Sequence, residues 1–500
     1  MSEQESRFRG AVYLSMARSI NILLSFIAVP IYFKYLGVEG YGVVILAVSF
    51  IGVLGLLDLG VPYSCGLRLL QAAHAKDEGR VQRVFGTSFV LLAVFMSLAT
   101  GVFVVTGLGF VSRNPGTPLA EYPWSFLLVG AGMVLTSLSV PLNAVMTAFE
   151  RYKLAAQTQA VHNVVLNLFP MALVIATGSP YGHWAGTALS SLVMLSLLWF
   201  VVGTQLPGTV SALKWAAETA RDLIKLGLKN MSLKIPGVIT SSVNNLAIAA
   251  IKPTADLTYF HTASRVPEAL YTLYRTTLDT TYPAMTKANQ DSPGTFLEFV
   301  RRLSQMNLNG AVAMILVPSG FAAPLLSIYL REDYVPVMAT VMQIMAWYLL
   351  LEMYYGVLST AAMAKGRPEA LLAFSTYHAV ARLIAAPLAL YYGDIVTLAI
   401  ANVAIAVVQF VPLHFRIYSV ADSKESPWPH IWRSGRVVVV GAAFFFAAVY
   451  YSGWIVQRSS WWVVLALPLA QAAYFGAMYA LKWAPFPESI TKRVAKLVKR

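Results

Sequence analysis

Arg18, Asn21 and Ser25 follow one another at +3 and +4 spacing, so a helix carries all three on one face. Lys234, Ser241 and Asn245 form a similar stripe. Arg265, Glu268, Thr272, Arg275 and Asp279 step by +3, +4, +3 and +4. Gln159 and Asn163 lie four apart, with Asn167 four further on and His162 beside them. Guanidinium and ammonium groups with amides can bind an anion and sugar-like hydroxyls. The same groups can instead neutralise one another. Arg18 with Asp58, Lys234 with Asp279, Arg265 with Glu268, Arg275 with Asp279 and Glu352 with Arg382 are the structural pairings that compete with a binding role. The amides of the Gln159 face can equally bond to neighbouring helices, the blander and slightly favoured alternative.

These charges stand out because of where they lie. The chain has 500 residues, is 57% hydrophobic and only 12% charged, with mean hydropathy +0.63. A soluble protein carries about 25% charged residues, so a soluble enzyme, a disordered chain and a fibre are excluded. A bilayer span takes about 20 apolar residues. Apolar windows place spans near 11–36, 40–62, 84–110, 124–149, 154–177, 183–205, 228–251, 256–284, 309–330, 334–363, 369–392, 395–415, 435–456 and 461–482. The fold class expected is an all-α polytopic membrane protein of about fourteen transmembrane helices. A charge at mid-span costs roughly 2.5–3.5 kcal/mol on insertion scales, so the stripes should face a cavity or a partner rather than lipid.

Lys and Arg set the direction. With the N-terminus inside, 27 of the 37 fall on inner segments and their edges, and five on outer ones. N-in/C-in topology follows. The net charge of +14 needs no nucleic acid to explain it. The single cysteine, Cys65, excludes an intramolecular disulfide, and the seven histidines show no metal-ligand spacing.

The chain also repeats itself at an offset near 216. Arg18 meets Lys234, Ser25 meets Ser241, His162 meets His378, and Pro170 meets Pro387. Leu57-Asp58 with Pro62 matches Leu278-Asp279 with Pro283, an LDxxxP in both halves. Equivalent spans are six apart, so the copies share an orientation: a parallel repeat about the membrane normal. The organisation expected is a six-helix bundle over 1–206, a cytoplasmic amphipathic linker at 207–227 and a second six-helix bundle over 228–416. A cytoplasmic loop at 417–434, two extra helices at 435–482 and a basic cytoplasmic tail at 483–500 complete it.

The run from Arg18 to Gly60, RSINILLSFIAVPIYFKYLGVEGYGVVILAVSFIGVLGLLDLG, resembles the opening of bacterial polysaccharide flippases. These are the O-antigen (Wzx-type) members of the multidrug/oligosaccharidyl-lipid/polysaccharide exporter superfamily. FERYKLAA and AKGRPEALLA resemble that family's inner loops. The resemblance covers the first twelve spans. It implies two six-helix bundles in a bacterial inner membrane that translocate a polyprenyl-pyrophosphate-linked oligosaccharide, with polysaccharide polymerases as membrane partners. Arg18, Asn21, Ser25, Lys234, Ser241, Arg265, Arg275, Gln159 and Asn163 then become candidates for headgroup binding. Asp58, Glu268, Asp279 and Glu352 are candidates for ion pairing or for carrying a coupling proton or sodium ion; no other cofactor is expected. Fourteen spans resemble the lipid II flippases. A cation-coupled drug exporter of the same superfamily and, behind it, a membrane polysaccharide polymerase are the alternatives. The outer loops are too short for the latter, and no P-loop or nucleophile–base arrangement is present.

Overall fold

A computed structural model describes residues 3–113, 116–206, 208, 213–367 and 369–481. Side chains are described from Ile20 onward, except at scattered helical positions such as Asp279. Arg18, Asp279 and the basic tail at 483–500 therefore lie outside the described side chains. All regular structure among the described residues is helical. Hydrocarbon offers no hydrogen-bond partners, and a helix satisfies its own backbone.

Packing divides the chain into two compact units, residues 1–258 and 259–500. The first holds α1 (Glu3–Leu54), α2 (Val61–His74), α3 (Glu78–Arg113), α4 (Ser125–Ala148), α5 (Tyr152–Thr177), α6 (Pro180–Gln205) and α7 (Ala217–Ile251). α1 is 52 residues long and bends at Gly37 (φ 69°, ψ 178°). At 1.5 Å per residue it would run about 78 Å, more than twice the roughly 30 Å hydrocarbon thickness.

Three features of this unit depart from the sequence reading. Residues 63–74, expected as an inner loop, belong to α2, whose Val61, Cys65, Leu69 and Ala72 are fully buried where the helix packs on α3, α4 and α7. The amphipathic linker expected over 207–227 is not one helix: 213–216 are non-helical, and α7 starts at Ala217 and runs unbroken to Ile251, through the stretch expected as the seventh span. The Ala216 N–H donates to Thr87 Oγ1 at 3.1 Å, tying this segment to α3. Finally, α7 packs on α1, α2 and α3. The boundary between packed units thus falls after residue 258, not at 228.

The second unit begins within α8 (Thr254–Asp291). α9 (Pro293–Ala311) continues through a π-turn at 312–316 to Gly320, and α10 (Ala322–Leu330) follows. Then come α11 (Pro336–Ala364), α12 (Glu369–Tyr392), α13 (Ile395–Val420), α14 (Trp428–Arg458) and α15 (Val463–Ala480). α11 is the most enclosed helix here and packs on α13. α14 packs on residues 317–320 and on α10 through Phe321, Ala448 and Ile455.

Among the described residues, ten helices are long and apolar enough to cross a membrane, or eleven if the pair bent by 68° at Phe321 forms one span. α7 and α8 are not among the ten. They carry Lys234, Arg265, Glu268 and Arg275, the charges that the sequence singles out.

Candidate functional site

In the first unit, backbone geometry delivers Asp58. α1 stops at Leu54 and one turn of 3-10 helix covers Gly55–Asp58. Leu59 (φ 51°) and Gly60 (φ 70°) then take left-handed conformations before α2 restarts at Val61, with Pro62 in its first turn. The Gly60 N–H donates to Asp58 Oδ1 at 2.8 Å, which fixes the carboxylate against its own turn. A Cβ on Gly60 would fall 2.4 Å from the Gly227 carbonyl oxygen, so α7 crosses this corner in near-backbone contact.

That crossing sets Lys234 beside the corner. Its Nζ donates to Asp58 Oδ2 at 2.6 Å and to the Gly55 carbonyl at 2.7 Å. Lys234 thus pairs with Asp58, where the sequence suggested Arg18 for Asp58 and Asp279 for Lys234. The side chains are 34% and 10% exposed. A phosphate reaching Lys234 must compete with a carboxylate already in place.

The amides are joined to one another. Gln159 Nε2 donates to Asn163 Oδ1 at 3.0 Å, and Asn167 Nδ2 donates to Asn21 Oδ1 at 2.9 Å, linking α5 to α1. Asn245 Nδ2 donates to Ser49 Oγ at 3.1 Å. Ser25 and Ser241 hydroxyls turn back to the carbonyls of Ile22 and Val238. The Asn167–Asn21 and Asn245–Ser49 bonds tie helices of the bundle together, whereas the others stay within one helix.

The second unit gathers a different set. On α8, Glu268, Thr272 and Arg275 are exposed one after another on a single face, with Arg265 half-buried above them. Arg265 and Arg382 are within electrostatic reach of Glu268. Arg275 donates to the Tyr271 hydroxyl at 2.7 Å. Glu352 on α11 lies 3.7 Å from His378 Nδ1 on α12 and within electrostatic reach of the Tyr348 hydroxyl. The Arg382 guanidinium stacks over the Tyr348 ring at 4.5 Å from its centroid. His378 and Arg382 are 5% and 4% exposed. Glu352 and Arg382, expected as a direct pair, thus meet around Tyr348.

Sequence reasoning missed Tyr271 and Tyr348, and it gave His378 no role beyond a repeat match. A signal was present: Tyr271–Arg275, Tyr348–Glu352 and His378–Arg382 each stand four apart, which places each pair on one face. Mixed charge with several phenols can bind a polyhydroxylated anion or hand on a proton. Among the described residues, no three His, Cys, Asp or Glu side chains gather as a metal site.

The profile of the polysaccharide biosynthesis protein family matches residues 8–289, more than half of the chain. The chain belongs to that family. The matched region contains Asp58, Lys234 and the α8 stripe, whereas Glu352, His378 and Arg382 lie beyond it. Among solved structures, the lipid II flippase MurJ in an inward closed conformation aligns with TM-score 0.67 at 15% identity, covering 94% of this chain and 99% of its own. An inward-facing multidrug resistance MATE family transporter of the MOP superfamily aligns with TM-score 0.59 at 16% identity, covering 83% and 100%. The eukaryotic MATE transporter AtDTX14 gives TM-score 0.53 at 13% identity, covering 86% and 98%. At these identities the likeness is one of fold. No curated protein matches the sequence. This family member therefore has the fold shared by MurJ and MATE transporters and is a multi-pass membrane protein.

Proposed function

We propose that the protein is a flippase that carries a polyprenyl-pyrophosphate-linked oligosaccharide from the inner to the outer leaflet of a bacterial inner membrane. Its chain crosses fourteen times in this reading, twice within α1 on either side of Gly37, with both ends inside. Alternating access moves the headgroup, and a proton or sodium ion at Glu268 or Glu352 supplies the coupling. The observation that carries the reading is α8. In a fold built of apolar helices, it exposes Glu268, Thr272 and Arg275 on one face. Such a stripe is too costly to leave in lipid and is suited to hydroxyls and phosphates passing along it. Membership of the polysaccharide biosynthesis family supports the sugar-bearing cargo.

Mass spectrometry of polyprenyl lipids before and after depletion, with a leaflet-specific glycan probe, tests this. The expected result is a polyprenyl-pyrophosphate oligosaccharide held on the inner leaflet. Build-up on the outer leaflet points to a polymerase step instead. The second reading, a cation-coupled drug exporter, draws on the MATE-like fold and the acids of the second unit. It predicts no lipid build-up and new sensitivity to cationic drugs.

A further inference from the structure

Three hollows join end to end along α12 and α13 of the second unit. The first, about 170 Å³, lies by Tyr377 and Gln409. It shares Phe374 and Pro412 with a second of about 500 Å³. That in turn shares Phe415 and Ser419 with a third of about 700 Å³, formed by the 421–427 loop and Trp428. One face of α13 lines the whole run, because Gln409, Pro412, Arg416 and Ser419 stand at +3, +4 and +3.

The groove changes character along its length. Tyr377, Val408 and Val411 are exposed at the apolar end. Arg416, Ser419, Ser423, Lys424 and Ser426 occupy the other. Arg416 Nε is buried in the groove wall with no hydrogen-bond partner. The acids at this mouth are already answered: Arg301 binds Glu425, and Lys365 and Arg367 bind Asp422 at 3.1 and 2.7 Å. The lining sets Arg416 and Lys424 beside these two acids, and the three cations that bind the acids from behind leave the mouth positive, with hydroxyl donors around it. Trp428, stacked edge-on to Phe415, and the exposed Trp432 flank it, as aromatic residues do at a membrane interface.

We propose that this groove holds an anionic phospholipid, with its phosphate at Arg416 and Lys424 and an acyl chain along Phe374, Val411 and Pro412. The ligand is a resident lipid rather than cargo, because the groove uses the outward face of α12. Tyr377 is 39% exposed there, while His378 and Arg382 of the candidate site are buried in the interior of the unit. The positive mouth faces the inner leaflet in the topology proposed above, where anionic lipids attract basic residues.

Native mass spectrometry of the full-length protein, offered phosphatidylglycerol and phosphatidylcholine at equal concentration, tests this without measuring transport. Wild type should retain one phosphatidylglycerol in preference. Each basic residue removed should weaken that preference about fivefold, so Arg416→Ala with Lys424→Ala brings the two lipids close to parity. Lys424→Ala alone, in an exposed loop, carries the test if the double variant does not fold. Val411→Trp should block retention of both lipids. Equal retention by wild type, or an unchanged preference in Lys424→Ala and the double variant, overturns the proposal. Displacement of phosphatidylglycerol by equimolar polyprenyl phosphate also overturns it and assigns the groove to a cargo tail.

Discussion

The two LDxxxP segments begin alike and fold differently. Leu57-Asp58-Leu59-Gly60-Val61-Pro62 ends a helix, turns through two left-handed residues and starts another. Leu278-Asp279-Thr280-Thr281-Tyr282-Pro283 runs straight through within α8. The difference lies in the middle pair. Gly60 accepts φ 70° without penalty, whereas β-branched threonine resists a left-handed backbone. In the first unit the break throws Asp58 against Lys234 on another helix. In the second, the backbone stays helical from the stripe of Glu268, Thr272 and Arg275 through the motif. The same LDxxxP sequence is a structural corner in one unit and part of an unbroken helix in the other.

The largest effect should come from closing the corner. Gly60→Ala forces a left-handed alanine, about 1–2 kcal/mol. It also drives a methyl into the Gly227 carbonyl, where only the backbone of α7 can give way. Together these should cost about 3–5 kcal/mol, read as a collapse of the thermal transition or of folded yield in detergent. Thr281→Gly, its counterpart in α8, should cost no more than about 1 kcal/mol. Equal effects would mean that the two segments do not differ in this way.

The ion pair behind that corner comes next. Removing one partner of a buried pair costs about 3–5 kcal/mol. Lys234 is one-third exposed, so Lys234→Ala should fall at or below the lower end, with Asp58→Ala similar or larger. The double variant should be more stable than either single one, because no charge is stranded. Transport by the double variant then decides the role of Lys234. Recovered abundance without flipping makes it a headgroup ligand as well as a brace, whereas recovered flipping makes it a brace alone.

The helical class and most helix positions were legible because apolar runs of bilayer length leave few alternatives. The exceptions follow from what a hydropathy reading weighs. α2 is short and ends among polar residues, so its Val61, Cys65, Leu69 and Ala72 periodicity was passed over. The partner of Lys234 was misplaced because pairing across helices depends on a backbone turn at Leu59 and Gly60 that spacing along one helix does not encode. The α8 stripe was legible since +3 and +4 steps fix a face. The surroundings of Glu352 were only partly so, because tyrosines read as ordinary span residues until α8, α11 and α12 come together.

Glu352 sharpens the contrast between the units. Unlike Asp58, it lies beside a histidine and a phenol, neither of which holds a permanent charge. Glu352→Gln keeps the side chain's size and an acceptor oxygen and should cost about 1 kcal/mol or less of stability. If Glu352 carries a coupling proton, the variant should nonetheless lose most transport while its abundance stays within about twofold. Unchanged transport removes Glu352 from the coupling candidates and leaves Glu268.

The smallest effect belongs to an acid outside the membrane. Arg367 and Lys365 donate to Asp422 and hold its carboxyl below the usual range. An acid whose folded pKa is depressed contributes stability above its unfolded pKa, near 3.9, and loses it as pH falls through the folded value. Asp422 and Arg367 are each about half exposed, so their bond is worth at most about 1 kcal/mol. Acidification from pH 6 to pH 3 should therefore loosen the 421–427 loop slightly, raising its rate of proteolytic cleavage by an acid-active protease. Asp422→Asn keeps the left-handed backbone (φ 54°) that asparagine tolerates. It should make the loop equally susceptible at both pH values, after correction for the protease's own pH profile. If the variant retains the wild-type pH response, other acids fasten this loop, and Asp422 is no counterpart to the buried clamp at Asp58.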